Sequence, residues 1–155
     1  MMVNEGDVAP DAVLTGGEGE QVRISDFRGQ KLVLYFYPKD DTSGCTREAQ
    51  DFSERADEFE RIGTWVVGVS KDDAKSHAKF TNKYELKVRL LSDADGSACE
   101  AFGTWAEKSM YGRKYMGIER ATFLIDRDGV VKQVWRKVKV PGHAEAVLRA
   151  AADLP

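Results

Sequence analysis

The sequence predicts an α/β fold with a central mixed sheet flanked by helices and an N-terminal β-hairpin. Three observations carry this. Two continuously apolar runs, "KLVLYFY" at 31–37 and "TWVVGVS" at 64–70, are separated by a stretch with helical spacing. Such runs fit strands covered on both faces rather than half-exposed ones. Near the end, "RATFLID" and "VVKQVWR" flank "RDG" at 127–129, a hairpin signal, ahead of an amphipathic stretch. Strands alternating with helices imply a sheet with helices on both faces.

Taken in order, "AVLTGGEGEQVRI" (12–24) reads as a hairpin turning at Gly16-Gly17. After the first buried strand, Cys45, Ala49, Phe52, Ala56, Phe59 and Ile62 recur at helical spacing until Gly63 ends the pattern. After the second, "DDAKSHAKFTNKY" (72–84) reads as a polar helix with Ala74, Ala78 and Phe80 turned inward. A short strand at Arg89–Leu91, the turn "SDADG" and a helical turn carrying Cys99 and Phe102 follow. The segment "KSMYGRKY" (108–115) reads as a solvated loop, and "GHAEAVLRAA" (142–151) as a closing helix. The order of strands in the sheet cannot be read from the pattern.

Composition narrows the function. The chain has 155 residues, 42% hydrophobic and 32% charged, which predicts one soluble domain over 1–155 with a substantial core. A net charge of −3 with scattered Lys and Arg argues against a nucleic-acid groove. No apolar run approaches the roughly 18 residues of a membrane helix. The opening "MMVNEGDVAPDAVL" has neither the basic nor the apolar region of a signal peptide, so the cytoplasm is expected. Two cysteines, Cys45 and Cys99, are too few for a disulfide scaffold. His77 and His143 stand singly on presumed helix faces without ligand spacing, so both are expected in solvent and no metal site is expected. The glycines form no phosphate-binding pattern, and no cofactor is expected. Trp65, Trp105 and Trp135 are expected in the core or a pocket wall.

The chemistry concentrates in "PKDDTSGCTREAQ" (38–50), where Cys45 sits past the carboxyl end of a buried strand, in the first turn of a helix. Ligand sites of open α/β sheets lie at such ends. The unpaired N–H groups and positive partial charge of a helix start favour thiolate over thiol, and the thiolate is the nucleophile. Thr42 is close enough in this loop to aim its hydroxyl at whatever approaches the sulfur, and Pro38 ends the strand and can shield it from water. The alternative on residue physics alone is an unreactive loop cysteine with Thr42 as a plain helix cap.

The spacing Pro38-x-x-x-Thr42-x-x-Cys45 resembles the active-site signature of peroxiredoxins, and "YFYPKDDTSGCTREAQDF" resembles that of the bacterioferritin comigratory (peroxiredoxin Q) subfamily. Nearly the whole chain takes part, through "GDVAPDAVL", "LLSDADG", "KSMYGRKYMGIERATFLIDRDG" and "VWRKVKVPGHAEAVL". The resemblance implies a thioredoxin-like fold and a thiol-dependent peroxidase acting on hydrogen peroxide and organic hydroperoxides. Cys45 matches the peroxidatic cysteine, Thr42 the residue that bonds the peroxide oxygens, and Arg120 of "IERATFLID" the arginine against the thiolate. A guanidinium keeps its charge at working pH, so it suits that place; Arg113 and Arg136 are rivals outside the motif. Met110 and Tyr111, in a segment that neighbours the site in this family, would help wall the pocket.

Two positions depart from the pattern. Ser43 replaces a usual proline, and Gln50 stands where many members carry a resolving cysteine. The expectation is a one-cysteine cycle in a monomer, with thioredoxin, glutaredoxin or a small thiol as reductant. The alternatives are an atypical two-cysteine cycle through Cys99, or a redox-sensing thiol without rapid turnover. A thiol-disulfide oxidoreductase is disfavoured because no C-x-x-C is present.

Overall fold

The computed structural model describes residues 2–155. In chain order the elements are β1 (Val13–Thr15), β2 (Gln21–Arg23), β3 (Lys31–Phe36), α1 (Ser43–Glu54), α2 (Ala56–Arg61), β4 (Thr64–Ser70), α3 (Ala74–Tyr84), β5 (Arg89–Ser92), α4 (Ser97–Phe102), β6 (Trp105–Met110), β7 (Arg113–Ile118), β8 (Ala121–Ile125), β9 (Val131–Arg136) and α5 (His143–Ala152). The main sheet has seven strands in the order β2-β1-β5-β4-β3-β8-β9. Its centre, β3-β4-β5, is parallel, and β8, β9 and the N-terminal hairpin join antiparallel. This is the mixed, helix-flanked sheet that the apolar runs predict.

Every residue of β3 is buried, because both faces of the strand are covered. Leu32, Leu34 and Phe36 point to one core with α4 and the N-terminal segment, while Val33 and Tyr35 point to a second core with α1, α2, α3 and α5. The alternation of a pleated strand puts neighbours on opposite faces. Opposite Tyr35 in the β3-β4 register is Gly68, where a Cβ would fall 2.7 Å from the tyrosine hydroxyl. A side chain there would displace the Tyr35 ring from its stack on Phe52, whose centroid is 4.8 Å away. Lys31 is also buried; its ammonium donates to the carbonyls of Ala151 (2.7 Å) and Leu154 (3.0 Å) and so ties the end of α5 to the sheet.

Three expectations are corrected. The helical pattern from Cys45 to Ile62 is two helices, broken at Arg55, whose guanidinium takes up the Asp51 carbonyl at 2.8 Å as the backbone departs. Ala78 is exposed; His77, next to it, is the inward residue of α3, with Phe80. "KSMYGRKY" is part of a separate two-stranded hairpin, β6-β7, turning at Tyr111 and Gly112 with φ of 52° and 78°. Two successive left-handed residues are what a tight hairpin turn requires. Trp65, 42% exposed, packs edge-on to Phe27 and walls a surface hollow, in keeping with a pocket-wall place. Trp105 and Trp135 are half-buried, under the Lys71 ammonium and beside His143 respectively.

Candidate active site

The site begins where β3 ends. Tyr37 still donates its N–H to Val69, and Pro38 then turns an exposed loop outward. Asp41 in this loop adopts a left-handed φ of 58°, and its carboxylate is held by Lys83 (2.8 Å) and the Tyr84 hydroxyl (2.6 Å). Thr42 occupies the N-cap position of α1, but its hydroxyl donates to the Lys39 carbonyl at 2.9 Å instead of capping the helix. The first helical bond is Thr46 N–H to the Thr42 carbonyl, so the amides of residues 43–45 lie in the turn that has no carbonyl partner behind it.

Cys45 is buried in that first turn, 2% exposed. The Arg120 guanidinium, from the segment entering β8, donates from Nη2 to its sulfur at 3.4 Å and from Nη1 to Glu48 Oε1 at 2.7 Å. One guanidinium therefore spans a sulfur and a carboxylate that sit three residues apart on the same face of α1. Glu48 is 1% exposed, and its second oxygen, Oε2, has no hydrogen-bond partner among the described residues. Burial pushes its carboxyl up to about 7, against the pull of Arg120.

Of the residues singled out in the sequence, the structure brings Cys45 and Arg120 into contact and places Thr42 at the mouth of the same helix turn. Arg113 is exposed on β7, and Arg136 is occupied by the carbonyls of Val3, Phe102 and Gly103, so neither rival reaches the sulfur. Met110 and Tyr111 are 55% and 98% exposed at the β6-β7 turn. Lys108, on the same hairpin, is half-buried, and its ammonium is lowered by burial and by Arg120. Glu48 is the residue that sequence reasoning missed. Its signal was available: a carboxylate on the apolar stripe formed by Cys45, Ala49 and Phe52 must be paired.

Both histidines are buried, contrary to the expectation of solvent exposure. His143 pairs with the Thr122 hydroxyl at 2.8 Å, edge-on to Phe52 and Trp135. Burial, with help from Arg120, lowers its imidazole to about 4. Glu48 and His143 then act on stability with opposite signs. The Glu48 carboxyl is raised from 4.5, so the folded state holds a proton the unfolded chain has lost, and its contribution falls as pH rises from about 4.5 to about 7. The His143 imidazole is lowered from 6.5, so the unfolded chain binds the extra proton, and its contribution rises with pH from about 4 to about 6.5. In the native protein the two slopes oppose each other. Glu48→Gln is expected to expose the His143 slope, giving a protein whose urea midpoint climbs between pH 4.5 and 6.5. An unchanged pH profile in that variant would show that Glu48 titrates normally.

The AhpC/TSA family profile matches residues 5–134. The chain is 45% identical to Peroxiredoxin Bcp of Bacillus subtilis over 154 residues, 99% of this chain and 98% of that protein. It is 43% identical to Peroxiredoxin Bcp of Escherichia coli over 143 residues, 92% of each. Among solved structures, the Xanthomonas campestris bacterioferritin comigratory protein, studied for alkyl peroxide reduction, superposes with a TM-score of 0.87 at 44% identity, covering 96% of this chain and 95% of that one. A cysteine mutant of Xylella fastidiosa PrxQ superposes with a TM-score of 0.90 at 42% identity, covering 97% and 95%.

Proposed function

The chain belongs to the AhpC/TSA family, among its peroxiredoxin Bcp and PrxQ members, and from that premise we propose a single-domain, one-cysteine peroxidase acting at Cys45 on hydrogen peroxide and organic hydroperoxides. Thiol-dependent peroxidase activity comes with the family; the residues and the cycle are our reading. The observation that carries it is the Arg120 guanidinium against the buried Cys45 sulfur.

The Cys45 thiolate attacks the distal peroxide oxygen. An S–O bond forms as the O–O bond breaks, the electron pair leaves on the other oxygen, and that oxide takes a proton to become water or an alcohol. Arg120 donates to the attacking sulfur and faces the charge that develops beside it. Thr42 needs only to swing its hydroxyl from the Lys39 carbonyl to bond the peroxide. Pro38 sets the exit of the loop from β3. Glu48 fixes the guanidinium by its 2.7 Å bond.

The sulfenic acid left on Cys45 is then reduced by a thiol, which displaces water to form a mixed disulfide; a second thiol releases Cys45 and leaves with the first as a disulfide. Gln50 offers no sulfur. Cys99 packs with Leu34 and Phe36 on one face of the sheet, whereas Cys45 packs with Val33 and Tyr35 on the other. Cys99 is fully buried, and burial together with the neighbouring Asp93 pushes its thiol up to about 12, which leaves almost no thiolate. A disulfide needs Cα atoms within about 7 Å, which two cysteines on opposite faces of an intact sheet do not offer. The reductant is therefore external: thioredoxin, glutaredoxin or a small thiol. Among the described residues no helix is long and apolar enough to cross a membrane. We place the reaction in the cytoplasm, where thiol reductants are maintained.

Intact mass after one equivalent of peroxide tests this reading. The expected product is a sulfenic acid on the monomer, trapped by dimedone at Cys45. Cys99→Ser is expected to keep most of its multiple-turnover activity. A Cys45–Cys99 crosslink on non-reducing peptide mapping, with turnover lost in Cys99→Ser, would replace the one-cysteine cycle by a two-cysteine one.

A further inference from the structure

The oxygen that departs from Cys45 needs a proton, because hydroxide is the anion of an acid with a pKa of about 15.7 and an alkoxide is no better a leaving group. None of the groups already placed at the sulfur is suited to give one. Arg120 holds its protons at any working pH. The Thr42 hydroxyl is no stronger an acid than the alcohol being released. Glu48 is 1% exposed and is engaged with Arg120 Nη1 at 2.7 Å. Tyr35 shares the buried core with Cys45, but burial drives its hydroxyl well above the usual 10.

Lys108, on β6, differs from the other cations of its hairpin. Arg113 is exposed at the turn, and Lys114 is exposed and reaches Glu107 at 3.7 Å. Lys108 is half-buried, and among the described residues no carboxylate lies within ion-pair distance of its ammonium. The register sets it opposite Tyr115, on one face of the hairpin. Its side chain leans further, over Gly117, where a Cβ would meet Lys108 Cδ at 3.5 Å and Cε at 3.7 Å. Gly117 lies near the end of β7, three residues before Arg120. The stem therefore carries the ammonium down the hairpin toward the junction from which Arg120 reaches the sulfur. The charges there are felt: burial and Arg120 lower the Lys108 ammonium, while Cys45 and Glu119 pull it up. A lysine so placed is a readier acid than one in water.

We propose that Lys108 is the proton donor to the departing oxygen. As the Cys45 sulfur forms its bond to one peroxide oxygen, the O–O bond breaks and its electron pair stays on the other oxygen. That oxygen takes a proton from the Lys108 ammonium and leaves as water or an alcohol. Sulfur is oxidised by two electrons and the peroxide is reduced by two. The neutral amine recovers its proton from solvent before the next turnover. This rests on the peroxidase reading above, and it divides the work: Arg120 faces the developing charge, and Lys108 removes it.

The test varies the leaving group. Hydrogen peroxide releases an oxygen that must be protonated, whereas peracetic acid releases acetate, the anion of an acid with a pKa of roughly 4, which leaves without a proton. Single-turnover oxidation of Cys45 is followed with each oxidant by dimedone trapping and intact mass. With hydrogen peroxide, Lys108→Met is expected to react about 100-fold more slowly, the lower end of what a positioned proton donor contributes. With peracetic acid it is expected to stay close to wild type. Loss of a positive charge alone would slow both oxidants alike, so the readout is the ratio of the two rates. Slowing in equal proportion, or no slowing, would overturn the proposal. Lys108→Arg carries the test if Lys108→Met does not fold. It keeps the charge but does not release its proton, so the same split is expected, and wild-type rates with both oxidants would refute proton donation. The wild-type protein separates this inference from the reading beneath it. If neither oxidant forms a sulfenic acid at Cys45, the peroxidase reading falls and takes the proposal with it. If both do and the Lys108 variants show no split, only the proposal falls.

Discussion

Cys45→Ser is expected to reduce peroxide consumption to the uncatalysed background while leaving the melting temperature within a few degrees of wild type. The asymmetry follows from what the sulfur does. A serine hydroxyl is nearly isosteric with the thiol, and it can still accept the Arg120 N–H that reaches Sγ at 3.4 Å. The packing of the first turn of α1 against Ala49 and Phe52 is therefore kept. What vanishes is a nucleophile soft enough to break an O–O bond. The measurement is peroxide loss with dithiothreitol in excess, alongside a thermal melt. Residual turnover above a few per cent of wild type would move the chemistry to Cys99. That outcome would be hard to reconcile with a thiol that is fully buried and pushed up to about 12.

What the sequence made legible was what depends on short spacing. The run 31–37 announces a strand covered on both faces because its apolar residues are unbroken, and all of β3 is buried. Cys45 at the start of α1 could be placed because strand end, loop and helix start lie within ten residues. Arg120, 75 residues away from Cys45, came only from the resemblance. What was not legible depends on partners distant in sequence. His77 and His143 look like surface residues on polar helices until Asp40 and Thr122 are brought to them across 37 and 21 residues. The β6-β7 hairpin hides for a different reason. Most of its residues are half or fully exposed, so no face of it shows the apolar alternation that betrays a strand. The break at Arg55 hides because the apolar spacing runs straight across it; it shows in the backbone, where the Arg55 N–H turns to the Phe52 carbonyl and the side chain takes up that of Asp51.

Arg120→Ala is expected to slow the oxidation of Cys45 by roughly 100- to 1,000-fold, the range seen when a preorganised donor is removed from a charge-stabilising site. The same substitution disturbs the fold, because it leaves Glu48, 1% exposed, without the guanidinium that binds its Oε1 at 2.7 Å. Removing one partner of a buried ion pair costs about 3–5 kcal/mol when the other stays charged. Glu48 has an escape from that cost: burial already pushes its carboxyl up to about 7, and without Arg120 it takes a proton. Slower chemistry in Arg120→Ala could therefore come from lost catalysis or from a disordered site, and a second substitution separates them. Arg120→Ala with Glu48→Gln removes the buried charge together with its partner. It is expected to recover much of the lost stability in urea titrations while the oxidation rate stays low. Arg120→Lys sharpens the test, since an ammonium supplies the charge but not the planar fork that reaches sulfur and carboxylate at once. It should fall between wild type and alanine. If the double variant regains both stability and rate, then Arg120 serves only to neutralise Glu48, and the charge that stabilises the departing oxygen must come from elsewhere, with Lys108 the first residue to test.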